Sequence, residues 1–80
     1  MKLPRDINRT TLIILLKQYG YEQTRQVGSH IRLTTQERGT HHLTIPRHTP
    51  LRVGTLNSIL AAVAAQRGQT KAEVIDELFG

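Results

Sequence analysis

The residues of this chain best suited to chemistry are His30, which follows Gly28 and Ser29, and the nearby arginines Arg25 and Arg32. An imidazole gives or takes a proton near neutral pH, and a guanidinium fork matches the oxygens of a phosphate. Together they suit proton transfer on a polyanion. A Gly-Ser pair marks a bend or bulge, because glycine adopts backbone angles that other residues avoid. Gly28 is therefore read as a structural turn residue. Ser29 is read as shaping the bend first and hydrogen-bonding a phosphate oxygen second. Tyr21 to Val27 and Ile31 to Thr35 have strand character on either side, which holds the imidazole on stiff backbone. Arg47 and Arg52 are expected to add phosphate contacts, on charge placement rather than motif. His48 stands in a Pro-x-His position before a helix. It is either a phosphate ligand or second proton-transfer group, or a loop histidine without chemistry.

Charge supports a polyanionic partner. Of the net +5, residues 1–67 carry ten Lys/Arg against three Asp/Glu, whereas residues 68–80 carry Lys71 against Glu73, Asp76 and Glu77. The stretch from Arg25 to Arg52 holds five arginines, one opposing carboxylate (Glu37) and all four histidines. Nucleic acid is the expected partner, and a solvated basic surface that only maintains solubility is the competing explanation. With no cysteine, disulfides and thiolate metal sites are excluded. His41 and His42 are neighbours on a strand and point to opposite faces, with no Asp or Glu close in sequence, so no metal site is expected. Aromatic stacking on bases has little support, because Tyr19, Tyr21 and Phe79 are needed for packing. Eighty residues are expected to form a single domain, 1–80, without room for a cofactor-binding unit. The aliphatic run Leu12 to Leu16 is too short to span a bilayer or to act as a signal peptide. The expectation is a soluble, cytoplasmic protein without a membrane partner.

The elements that must position these side chains follow from hydrophobic period. Leu12, Leu15, Leu16 and Tyr19 repeat as one helical stripe, with Asn8 or Thr10 as cap and Gly20 as stop. Ile31 and Leu33, then Leu43 and Ile45, recur at every second residue, the period of half-buried strands, with Glu37-Arg38-Gly39 as the turn between them. Leu56, Ile59, Leu60 and Val63 form a second helical stripe, for which Thr55 is the expected cap and Gly68 the stop. Thr70 and Glu73 form a capping box before a short helix carrying Val74, Ile75, Leu78 and Phe79. Strand alternation then turns His30, Arg32, Thr34, His42 and Thr44 away from the helices, onto one open polar face. The tail helix is expected to dock beside the second helix. The competing use of its apolar residues is self-association into a homodimer.

Several segments taken in order resemble the HicA family of small toxins, the messenger-RNA-cleaving endoribonucleases of bacterial and archaeal toxin–antitoxin systems. They are Leu15-Leu16-Lys17, Gly20-Tyr21-Glu22, Arg25-Gln26-Val27-Gly28-Ser29-His30, Thr44-Ile45-Pro46-Arg47-His48 and Gly54-Thr55-Leu56-Asn57-Ser58-Ile59-Leu60. The resemblance covers roughly residues 7–66. It implies an α+β fold like the double-stranded-RNA-binding domain, α-β-β-β-α, with two helices on one face of a three-stranded antiparallel sheet and here a short C-terminal helix. The core is then residues 1–67 and the extension residues 68–80. It further implies that His30 is catalytic and that a HicB-type antitoxin is the partner. Two departures stand out. Val27 replaces the lysine that many relatives carry beside Gly-Ser-His, so that phosphate contact is either absent here or supplied by Arg25 or Arg32. The tail from Gln69 to Gly80 extends beyond the shortest relatives.

The leading expectation is a type II toxin that cleaves messenger RNA by histidine proton transfer, with no metal or other cofactor. The RNA-contacting set is Arg25, Ser29, Arg32, Arg47, His48 and Arg52. The alternatives are a non-catalytic RNA-binding module on the same basic face, or a protein whose basic surface only binds an acidic partner.

Overall fold

Asn8 stands in extended backbone and its side chain accepts a hydrogen bond from the Thr11 amide at 2.8 Å, which starts the first helix, α1 (Arg9–Leu16). The computed structural model describes residue 3 and residues 6–47 and 50–80, so His48 lies outside the described residues. A 3₁₀ turn over Lys17–Tyr19 tightens the end of α1, and Gly20 closes it with φ of 80°. A Cβ at Gly20 would lie 2.8 Å from Thr35 Oγ1 and 2.7 Å from Glu37 Oε2, so glycine serves both the left-handed angle and a close approach to the sheet.

The chain then forms a meander of β1 (Glu22–Val27), β2 (His30–Thr35) and β3 (His41–Ile45), antiparallel and in spatial order β1-β2-β3. In β2 and β3 the expected alternation holds: Ile31, Leu33, Leu43 and Ile45 are buried on the helix side. β1 differs, because all six of its residues are exposed. The buried Tyr21 just before it ties its start to the core. The Tyr21 hydroxyl lies 2.7 Å from His41 Nδ1, which gives His41 a structural partner on the inner side.

Two helices follow, α2 (Val53–Arg67) and α3 (Lys71–Phe79). α2 begins two residues before the expected cap at Thr55. Arg52 occupies the N-cap position without a side-chain cap bond. The earlier start follows from Leu51, which is buried and donates its amide to the Ile7 carbonyl at 2.9 Å, anchoring the chain ahead of the helix. The total is the α-β-β-β-α order of a double-stranded-RNA-binding-like α+β fold, with the helices on one face of the sheet and α3 added.

The tail docks. Val74, Ile75 and Leu78 are buried in the common core, and α3 packs on α2. The capping box is present, with Thr70 and Glu73 exchanging hydrogen bonds with each other's backbone. A polar clamp fixes the outer side. The Tyr19 hydroxyl donates to Glu77, Gln69 Nε2 donates to Glu77 at 3.1 Å, and the Arg67 guanidinium lies 3.9 Å over the Tyr19 ring while pairing with Glu37 at 3.2 Å.

Hydrogen bonds, first from Tyr19 and then from Gln69, hold the Glu77 carboxyl below its ordinary value of 4.5. A lowered folded-state pKa contributes stability above the unfolded value and loses it as pH falls through the folded one. Glu77→Gln is therefore expected to melt below wild type at pH 7, with the gap closing towards pH 3. Thermal unfolding of both proteins across that range is the check, and a gap independent of pH would deny the carboxylate this role.

Candidate functional site

The face of the sheet away from the helices carries the polar side chains. A two-residue turn, Gly28-Ser29, joins β1 to β2 and pairs Val27 with His30. Gly28 has φ of 59°, and Ser29 is outside the left-handed region, the signature of a II′ hairpin turn. A Cβ at Gly28 would meet nothing within 4 Å, so the need for glycine here is one of backbone angle alone. The consequence is positional. His30 becomes the first residue of a paired strand, with its register fixed by the turn and its side chain exposed.

A second contact holds that turn in place. Arg9, at the start of α1, donates from Nη1 to the Ser29 carbonyl at 2.8 Å, tying the helix to the hairpin 20 residues later. Nothing in sequence spacing points to this residue, since it acts through backbone. The Ser29 hydroxyl lies 3.5 Å from His30 Nδ1, too long to orient the ring.

The register between β1 and β2 shifts between Gln23 and Arg25, leaving Thr24 as the extra residue of a bulge. In a bulge two residues oppose one and the simple alternation is interrupted. Here it puts both Thr24 and Arg25 on the open face. The Thr24 hydroxyl lies 2.8 Å from that of Thr34, and Arg25 stands opposite Arg32. Arg25, Val27, His30, Arg32 and Thr44 together line an open recess of about 250 Å³.

The recess is chemically one-sided. It presents two guanidiniums, an imidazole and a hydroxyl with no carboxylate, so its field favours an anion. Val27 is 59% exposed and offers an apolar wall beside the cations. Beside Val27, the bulge brings Arg25 and the neighbouring strand Arg32 to the recess.

Of the expected set, Arg25, His30 and Arg32 converge on the recess and Ser29 borders it in the turn. Arg47 and Arg52 are exposed but do not line it; Arg47 follows β3 and Arg52 caps α2. His48 is outside the described residues. His42 is on the open face opposite Thr34, with its Nδ1 2.8 Å from the Thr34 hydroxyl. Four residues of strand separate Thr34 from His30, roughly 13 Å, so His42 does not share a phosphate with His30. Among the described residues, no group of three or more His, Asp or Glu side chains is arranged to hold a metal ion. No helix among them is long and apolar enough to cross a membrane.

A family model described as the HicA toxin of bacterial toxin–antitoxin systems matches residues 9–64, from the start of α1 to near the end of α2. It spans the whole sheet and the recess and leaves α3 outside. No curated protein and no solved structure matches the chain significantly.

Proposed function

Because this chain belongs to the HicA toxin family of bacterial toxin–antitoxin systems, we propose that it is an endoribonuclease that cleaves messenger RNA, with His30 as the proton-transfer group and no metal ion. The observation that carries the reading is the recess in which His30 stands between Arg25, Arg32 and the Thr44 hydroxyl.

The chemistry follows from those groups. A phosphodiester seated on Arg25 and Arg32 places its neighbouring ribose against the imidazole. His30 takes the proton of the 2′-hydroxyl, the 2′-oxygen bonds to phosphorus, and the bond from phosphorus to the 5′-oxygen breaks. The departing oxygen receives the proton from the imidazolium or from water. The products are a 2′,3′-cyclic phosphate and a 5′-hydroxyl. One positioned acid–base group contributes on the order of 10²–10⁴ in rate, and the guanidiniums offset the charge gathering on the phosphorane oxygens. Such a reaction needs an antidote in its own cell. The proposed partner is a HicB-type antitoxin whose binding denies RNA access to the recess, and cytoplasmic messenger RNA is the proposed target.

Salt dependence tests the placement of phosphate. Each phosphate neutralised on a single strand contributes about −0.7 to the slope of log affinity against log salt. Replacing both Arg25 and Arg32 by Gln is expected to flatten the slope by about 0.7–1.4 and to weaken binding of all sequences alike. An unchanged slope would move the RNA path off this face, whereas flattening by the Arg47, Arg52 pair instead would place it past those two arginines.

A further inference from the structure

The other end of the same open face differs in character. An open depression of about 400 Å³ there is lined by Glu22, Thr24 and Thr34 together with Gly20, Thr35, Gln36 and Glu37. Of its two carboxylates, Glu37 is engaged by Arg67. Glu22 is exposed and makes no ion pair or side-chain hydrogen bond among the described residues. Beside it runs a chain of side-chain hydrogen bonds across all three strands, from Thr24 to Thr34 at 2.8 Å and from Thr34 to His42 Nδ1 at 2.8 Å.

A carboxylate on a face that holds phosphate is a repulsive element, unless what lies over it is not phosphate. Glu22 pairs with Thr34 in the register and Thr34 with His42, so Thr34 is flanked by an acceptor on β1 and an imidazole on β3. Either hydroxyl can donate in this chain, so the His42 ring presents a hydrogen-bonding nitrogen to a base in either tautomer. The site then offers a carboxylate acceptor on one side and an imidazole on the other, about 10 Å apart across two strand spacings. That span accommodates a flat heterocycle lying over Thr34. An ionised carboxylate only accepts. It pairs with the exocyclic amines of cytosine, adenine or guanine and faces only carbonyls and a single flanked N–H in uracil.

We propose that Glu22, Thr34 and His42 form a base-selecting subsite that takes an amino-bearing nucleobase next to the phosphate held by Arg25 and Arg32, and rejects uracil. The proposal rests on the reading of this face as an RNA site. Good paired contacts to a base edge discriminate by 1–3 kcal/mol, roughly 5- to 150-fold in affinity.

The test uses single-stranded hexamers of cytidine, adenosine and uridine, with fluorescence anisotropy at fixed low salt and His30→Ala protein to prevent cleavage. The cytidine and adenosine hexamers are expected to bind about tenfold tighter than the uridine hexamer. Glu22→Gln, added to that background, is expected to bring all three within about twofold, since an amide also donates, while leaving the salt slope unchanged. Tight, salt-sensitive binding that ignores the base overturns the subsite alone, as does discrimination that survives Glu22→Gln. Failure of every hexamer to bind at any salt overturns the RNA reading and the subsite with it.

Discussion

His30→Ala is expected to remove cleavage of RNA while leaving the protein folded, with a melting temperature close to wild type. The side chain is exposed, and its nearest polar partner, the Ser29 hydroxyl, is 3.5 Å away, so its removal opens no cavity and orphans no buried group. Surface substitutions of this kind usually change stability by less than about 0.5 kcal/mol. The catalytic loss is of another order: at least 10²-fold, and up to 10⁴-fold if the imidazole serves both proton transfers. Affinity for RNA is expected to fall little, because Arg25 and Arg32 remain. Cleavage, binding and thermal unfolding measured on one preparation separate the cases. A folded variant that cuts as fast as wild type removes His30 from the mechanism. A wild-type protein that binds RNA without cutting it leaves the binding-module reading in its place.

Deleting residues 69–80 is expected to have the largest effect on stability. The deletion removes Val74, Ile75 and Leu78, which are 0%, 7% and 7% exposed, and strips cover from α2. At 1.5–3 kcal/mol for each fully buried aliphatic side chain, the loss is about 4.5–9 kcal/mol as an upper estimate. Domains of this size are stable by about 5–15 kcal/mol in total. The truncated protein should therefore melt some tens of degrees lower or fail to fold at 37 °C. The Tyr19–Glu77 clamp is lost as well. Circular dichroism on heating, with mass measured in solution, is the check. A truncated chain that melts like wild type but changes from dimer to monomer would show that the apolar side of α3 serves self-association.

Much of this arrangement was legible in the residues, and the illegible parts share a cause. Ile31, Leu33, Leu43 and Ile45 revealed two strands because one of their faces is buried, and that alternation sent His30, Arg32, Thr34, His42 and Thr44 outward. Asn8, Gly20, Gly68 and the Thr70–Glu73 box marked helix ends through local chemistry, so they held. β1 was expected over Tyr21–Val27 and is found over Glu22–Val27, but nothing in it told which side faces the core. With all its residues exposed, it has no apolar side to count, and the bulge at Thr24 that turns Arg25 into the recess leaves no trace in composition. Arg9 was missed because it bonds to a backbone carbonyl, which any residue at position 29 would provide. Clustering of arginines gave the charge of the surface but not its membership. Arg47 and Arg52 are near His30 in composition, yet the fold sets them outside the recess, and the early start of α2 makes Arg52 a helix cap.

The mechanism commits the reaction to particular products. If His30 draws the 2′-hydroxyl proton, the sugar's own oxygen displaces the 5′-oxygen and no water enters at the cutting step. The most direct test is mass spectrometry of the fragment ends after the purified protein cuts RNA in the presence of a chelator. The expected result is undiminished cleavage giving 2′,3′-cyclic phosphate and 5′-hydroxyl ends. Fragments with 5′-phosphate and 3′-hydroxyl ends, or cleavage that stops in chelator and returns with a divalent ion, would contradict it.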